Sequence, residues 1–285
     1  MNNITGKTVV ITGAARGIGE ATAAALLDRG ARVIIGDRDP EELAKAVVRL
    51  KARGPASGHH VDVTDRTSFA SFLDLARADG QGRIDILINN AGVMPIGAFI
   101  DQSQESIRSA IEVNFGGVIH GCQLILPEMV ARRAGHIVNI ASMAGLVAVP
   151  GQAVYAGSKF AVVGFSTALA DEYAPRGVSV SMVLPTFTRT DLIAGTTPSA
   201  AQGLVTPTAV AGAVVKVLEK RLPQRSVPAH LRFLGPIIAL LGTRVRRFIN
   251  KVMGNDKTFL DFDATARRAY EDRVRASAPP SNDEH

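Results

Sequence analysis

The chain has 285 residues, enough for one large α/β domain or two small ones, and 46% of them are hydrophobic. Its net charge of +6 sits at one end: residues 221–285 carry twelve Lys and Arg against seven Asp and Glu, a surplus of five that leaves +1 for residues 1–220. A nearly neutral body excludes nucleic-acid binding by the protein as a whole, no stretch reaches the ~20 apolar residues of a bilayer span, and the single cysteine, Cys122, excludes an intramolecular disulfide.

Lys7–Thr12 is a short apolar run bounded by Gly6 and Gly13 and reads as a buried strand. The turn Gly13-Ala-Ala-Arg16-Gly17-Ile18-Gly19 then opens a helical pattern over Glu20–Arg29. Glycines at such a turn let backbone N–H groups approach a phosphate at a helix N-terminus, where the helix dipole also favours an anion. Gly30–Asp37 is a second strand ending in an acid, near the ~20-residue distance expected for a carboxylate that takes the adenosine ribose hydroxyls. Asp37 repels a 2′-phosphate and favours NAD over NADP, whereas Arg16 and Arg38 are cations that pair with one. Asp37 is weighted more, because it stands at the strand end.

Further on, Pro40–Leu50 is helical with proline at its start, Ser57–Val63 reads as a strand containing Asp62, Asp65–Ala78 is helical, and Arg83–Asn89 is a fourth strand. One long helix is predicted over Ser103–Arg132, with the costly pair Gly116-Gly117 implying close packing. A strand at 136–141, a helix over Gln152–Tyr173, a strand over Gly177–Leu184 ending at Pro185, and a helix over Thr208–Arg221 complete the alternation. This βαβ rhythm calls for a parallel sheet covered on both faces, with ligands beyond the carboxyl ends of its strands. Thr12, Asp37, Asp62, Asn89, Ser142 and Pro185 all fall at those ends.

Tyr155 and Lys159 are four residues apart and share a helix face. A phenol titrates near ~10, and a close ammonium favours its ionised form, one route to a base usable near neutral pH. Ser142, just upstream, can meet the same substrate oxygen. The polar start, Met1–Lys7, has no signal-peptide core. A reducing cytoplasm is expected, and no metal site is, since His59, His60 and His136 show no ligand spacing with the cysteine.

Taken together, Thr12-Gly13-x-x-x-Gly17-x-Gly19, Asn89-Asn90-Ala91-Gly92, Asn114, Ser142, Tyr155-x-x-x-Lys159 and Pro185 resemble, in order and spacing, the short-chain dehydrogenase/reductase family over about residues 5–220. The resemblance implies a Rossmann-like doubly wound parallel sheet in a single domain, 1–227, that binds NAD, with NADP as the alternative. It implies Tyr155 as general acid/base, Lys159 lowering its pKa and holding the nicotinamide ribose, Ser142 steadying the substrate oxygen, and Asn114 holding a water in a proton relay. It assigns Gly13, Arg16, Gly17, Ile18 and Gly19 to the pyrophosphate and Asp62 and Val63 to the adenine, beside the Asp37 and Arg38 already read as cofactor residues. Asn89, Ala91 and Gly92 support the cofactor and the central sheet, and Pro185, Thr188 and Thr190 serve the nicotinamide end. One departure is Pro185-Thr186, where the family commonly has Pro-Gly. The family pairs through helices equivalent to 103–132 and 152–173, which implies a homodimer or homotetramer. The rival reading is a cofactor-sensing or membrane-associated scaffold that has kept the fold without turnover.

Residues 187–205 read as a substrate loop within this domain. Met94, Pro95, Ile96, Leu146, Val147, Val149, Phe187 and Leu192 are the expected apolar wall for a hydrophobic secondary alcohol or ketone. Residues 228–275 form an extension, and it resembles those of retinol-dehydrogenase-like bacterial members of the family. Leu231–Leu241 is apolar but too short to span a membrane. Thr243–Met253 puts Val245, Phe248, Ile249 and Val252 on one side of a helix and Arg244, Arg247 and Lys251 on the other. A lid or a subunit contact is the expectation for residues 228–253, and peripheral contact with an anionic membrane the alternative. Residues 276–285 read as a disordered tail.

Overall fold

The structure is a computed structural model that describes residues 4–197, 203–231, 237, 241–252, 254–255 and 257–275, without the side chains of Ile249 and Arg275. The expected disordered tail, 276–285, and most of the apolar stretch 231–241 lie outside the described residues.

Seven parallel strands form one sheet in the order β3-β2-β1-β4-β5-β6-β7. They are β1 (Thr8–Thr12), β2 (Arg32–Asp37), β3 (Ala56–His60), β4 (Ile86–Asn89), β5 (Gly135–Ile140), β6 (Val178–Pro185) and β7 (Gln224–Val227). Every residue of β1 and β4 is buried, as strands covered on both faces require, and their sequences are accordingly continuous apolar runs. Side chains alternate between two cores. Val9, Ile11, Val33 and Ile35 join α1 (Gly17–Leu27), α2 (Pro40–Lys51) and α7 (Pro207–Lys220) on one face. Val10, Ile34 and Leu87 join α3 (Arg66–Asp79), α5 (Gly117–Ala131) and α6 (Ala153–Tyr173) on the other.

Helix starts are set locally. Asp39 accepts the Glu42 N–H ahead of Pro40, Asp65 accepts the Thr67 N–H, and Thr206 accepts the Ala209 N–H ahead of Pro207. The helix expected over Ser103–Arg132 is interrupted. It divides into α4 (Gln104–Ile111), a π-helical segment Glu112–Gly116 and α5. Gly117 packs closely, as expected of the Gly116-Gly117 pair: a Cβ there would come within 2.9 Å of Val63 Cβ. The third strand ends earlier than expected, which leaves Asp62 and Val63 in the following loop.

One expectation is corrected. Ala153–Arg176, with a mean hydropathy of 1.3, is long and apolar enough to cross a membrane by length and composition. Its packing assigns it otherwise: Tyr155, Lys159, Val162 and Ser166 are buried and α6 lies against β6. Beyond β7 the extension forms α8 (Thr243–Val252) and α9 (Ala264–Arg275).

The closeness of α5 to the sheet is testable at two glycines. A Cβ on Gly121 would lie 2.5 Å from Asn89 Oδ1 and 2.8 Å from the Phe69 ring, whereas one on Gly212 in α7 meets nothing within 4 Å. Gly121→Ala should destabilise the fold by about 1–3 kcal/mol. Gly212→Ala should stabilise it by about 0.5–1 kcal/mol. Urea titrations of both variants check this, and equal effects would contradict the packing described.

Candidate active site

Strand order reverses between β1 and β4, and a cavity of about 960 Å³ opens beyond their carboxyl ends. Its floor is the glycine turn. Gly13 has φ +62°, and a Cβ there would come 2.6 Å from Ala91 Cα. Gly17 has φ +61° and abuts the Thr190 side chain, drawing the turn against the loop after β6. The turn is tied to β4 by Asn90, whose amide donates to Thr12 O at 2.9 Å and Gly13 O at 2.7 Å, while its N–H donates to Thr12 Oγ1. No side chain caps the N-terminus of α1, and Gly17 and Ile18 line the cavity, an arrangement suited to an anion.

Asp37, Arg38, Asp62 and Val63 line one end of the cavity. Asp37 accepts the N–H groups of Ala15 and Asp39, which aims its carboxylate at the turn. Arg16 is held in a close ion pair with Asp39, so its charge is already matched.

Ser142, Tyr155 and Lys159 line the other end. Ser142 follows β5 and caps a short 3-10 turn by accepting the Ala144 N–H at 3.1 Å. The Lys159 ammonium donates to Ile140 O at 3.0 Å and lies 5.8 Å from the centre of the Tyr155 ring. Burial pushes the Tyr155 phenol up to about 12, against a hydrogen bond with Ser142 that favours ionisation. Burial pulls the Lys159 ammonium down to about 8. Burial is the largest influence on both groups, and at Tyr155 the Ser142 hydroxyl opposes it.

Three predicted site residues stand behind the cavity wall. Asn114 is fully buried, with Oδ1 accepting the Val93 N–H and Nδ2 donating to Val93 O and Ser158 Oγ. It fixes the strand-end segment that carries Gly92. A Cβ on Gly92 would come 3.2 Å from Asn114 Oδ1 and 3.6 Å from Lys159 Nζ, so glycine keeps these two groups close. Asn89 faces α5 and donates to Asn139 Oδ1, which makes it a sheet residue. Gly19 is needed for packing, since a Cβ there would meet Gly13 O at 2.5 Å. The other predicted residues, Ala91, Gly92, Pro185, Thr188 and Thr190 among them, line the cavity.

Of the expected apolar wall, Met94, Val147, Val149, Phe187 and Leu192 line the cavity, whereas Pro95, Ile96 and Leu146 do not. The wall is completed by residues that sequence reasoning missed. Phe259 stacks on Phe187 at 5.2 Å. Tyr270 of α9 lines the cavity and accepts the Met94 N–H at 2.9 Å. Arg267, also fully buried, donates to Leu192 O, Ala194 O and Met94 O. Arg273 pairs with Asp191 at 2.7 Å. Thus α9 straps the loop after β6 to the Met94 segment. Their distance in sequence hid them; the only signal was the unusual placing of arginines and a tyrosine on a helix beyond the last strand. His59 pairs with Asp79 and His136 with Ser181, His60 is exposed, and among the described residues no group of His, Cys, Asp or Glu is placed to hold a metal.

A parallel Rossmann sheet, a glycine cradle at its switch point and a half-buried Ser142 beside buried Tyr155 and Lys159 define a nicotinamide-dependent oxidoreductase. Residues 7–200 match the family model described as short chain dehydrogenase, and the chain belongs to that family. It is 42% identical over 194 residues to the oxidoreductase UcpA of Escherichia coli K12, covering 67% of this chain and 73% of UcpA. It is 36% identical over 225 residues to the ketoacyl reductase HetN of a Nostoc species, covering 78% of each. A crystal structure of a short chain dehydrogenase/reductase from Burkholderia phymatum in complex with NAD superposes with a TM-score of 0.76 at 27% identity, over 88% of this chain and 96% of that one.

Burial of Lys159 has a measurable consequence. Unfolded, the ammonium titrates near 10.5; folded, near 8. Between these values the unfolded chain binds more protons, so stability rises with pH, and below pH 8 the full cost of burial is present. Lys159→Met should stabilise the fold at pH 7 by up to about 3 kcal/mol, and the gain should fade toward pH 10.5. Denaturant unfolding at both pH values tests this; a gain independent of pH would contradict it.

Proposed function

We propose that the protein exchanges a hydride between NAD and a hydrophobic secondary alcohol or ketone, with Tyr155 as general acid/base. The observation that carries this reading is the meeting of Ser142, Tyr155 and Lys159 in one cavity with the glycine cradle. The residues fit the cofactor. The N-terminus of α1 suits the pyrophosphate, the Asp37 carboxylate suits the ribose hydroxyls, and the Gly13 and Gly17 turn admits the close approach that side chains would block. The likeness to an NAD-bound structure supports the same choice. Bound there, the nicotinamide supplies or accepts the hydride at the carbinol carbon.

The protein's own task is the proton. Burial keeps Tyr155 protonated at neutral pH, the state needed to give a proton to a ketone oxygen as it becomes an alcohol. The Ser142 hydroxyl, bonded to the same phenol, steadies that oxygen. In the oxidative direction Tyr155 must accept a proton, and positive charge from Lys159 and the oxidised cofactor offsets the burial that disfavours the phenolate. Asn114 and Lys159, flanking Gly92, are the inner end of a water-linked proton path. The apolar wall of Met94, Val149, Phe187, Leu192 and Phe259 supports an apolar substrate, and the kinship with a ketoacyl reductase supports a carbonyl–alcohol pair. The same reading carries a cytoplasmic location and a homodimer or homotetramer.

Tyr155→Phe should lower turnover by roughly 10²–10⁴-fold while leaving cofactor affinity within about threefold. A screen of apolar alcohols and ketones, followed by absorbance of the reduced cofactor, provides the assay, and retained turnover would refute the role. Asp37→Ala should weaken NAD by roughly 10–100-fold, the worth of hydrogen bonds to a charged group, and narrow or reverse its advantage over NADP. Fluorescence titration with both cofactors reads this, and tighter NADP binding by the unaltered protein would overturn the NAD preference.

A further inference from the structure

Helix α8 is packed inside out. On a helix of ~3.6 residues per turn, Val245, Phe248 and Val252 share one side and Asn250 falls nearly opposite. A helix at a protein surface ordinarily buries its apolar side. Here Asn250 is 8% exposed, while Val245, Phe248 and Val252 are 48%, 68% and 70% exposed. The polar side chain faces the protein, where Asn250 and the following Asn255 line the cavity, and the apolar stripe faces out. Leu231 and Asn250 of the 228–253 segment border the cavity, while the side chains that reach furthest over it come from α9.

The charges around the stripe select its partner. Arg244, Arg246, Arg247 and Lys251 are exposed, and α8 contains no acid. A second copy of this chain is disfavoured, because a self-complementary contact would set these cations against their own equivalents. An ordinary protein interface needs about 1,000 Å² or more, beyond one face of a helix roughly 15 Å long. A lipid surface has no such lower limit. It accepts a few apolar side chains among its acyl chains while anionic headgroups meet the flanking cations.

We propose that α8 docks the protein on anionic membranes, with Val245, Phe248 and Val252 inserted and Arg244, Arg247 and Lys251 at the headgroups. The docking stands apart from the reading of the active site. Its benefit rests on that reading: α8 borders the cavity through Asn250, on the side away from the stripe, so docking would bring an apolar alcohol or ketone dissolved in the bilayer to within one helix of the cavity.

The test is co-sedimentation of the full chain with vesicles of phosphatidylcholine alone or mixed equally with phosphatidylglycerol. Binding to the anionic vesicles should be at least about tenfold stronger and should weaken as salt is raised. The variant F248S/V252S should lose about tenfold or more of that binding, and R244Q/R247Q should lose most of the difference between the two lipids. Both should keep the thermal midpoint of the unaltered protein. Tyr155→Phe should bind vesicles normally, so failure of docking and failure of the catalytic reading give different results. The proposal is overturned if the two vesicle types bind alike, if F248S/V252S binds as the unaltered protein does, or if F248S/V252S merely converts a dimer to a monomer while the unaltered protein ignores vesicles.

Discussion

The contact on which the site depends joins the ends of β1 and β4. Two parallel strands that diverge at a switch point leave a crevice, but a crevice alone has no defined floor. Here Gly13 turns with φ +62° directly over Ala91, and the Asn90 amide holds the carbonyls of Thr12 and Gly13. That clamp fixes where α1 begins, and so where its uncapped N–H groups point. It also fixes the path from Asn90 to Met94. This path is then gripped on its far side by the Asn114 amide at Val93, and by Tyr270 and Arg267 at Met94. Cofactor cradle and substrate wall are thus one continuous backbone, secured by buried amide and guanidinium groups whose loss would leave unpaired polar atoms.

The same burial that secures the site sets its chemistry. A tyrosine beside a lysine reads, in sequence, as an acidified phenol. Inside the protein the two lie where water is scarce, and removal from water penalises either charge more than their mutual attraction repays. Tyr155 moves up and Lys159 moves down. At neutral pH burial keeps the phenol in its protonated form, so on the proposed reading a carbonyl could take its proton directly. Alcohol oxidation would then require a further positive group close by.

Much of this was legible from the chain. The continuous apolar strands, the strand-to-helix glycine turn and the i, i+4 pair each carry a physical reason local to a few residues, and the sheet, the cradle and the Tyr155–Lys159 face follow from them. What stayed hidden depends on contacts across long sequence separations. Asn89 and Asn90 are neighbours of the same type, yet pleating sends one to α5 and the other to the glycine turn. Asn114 reads as a site residue, yet it works from behind the wall. The π-helical segment around it has no local signature beyond Gly116-Gly117. Arg267 looks like a surface charge on a polar helix and is fully buried, because three backbone carbonyls of two separate loops converge on its guanidinium.

The extension illustrates how far pattern alone reaches. Its amphipathic helix was legible, but the pattern says only that α8 has two sides, and not which side the protein takes. Packing decides that, and it decides against the usual rule by burying Asn250 and leaving Phe248 in solvent. α9 behaves in the opposite way and commits a tyrosine and an arginine to the interior. The two helices thus divide the extension between an inner task and an outer one. α9 borders the cavity over Met94 and the loop after β6. α8 turns Asn250 toward the cavity and leaves its apolar stripe exposed. The extension thus presents its polar side to an apolar cavity and its apolar side to the outside, the reverse of what pattern alone would assign.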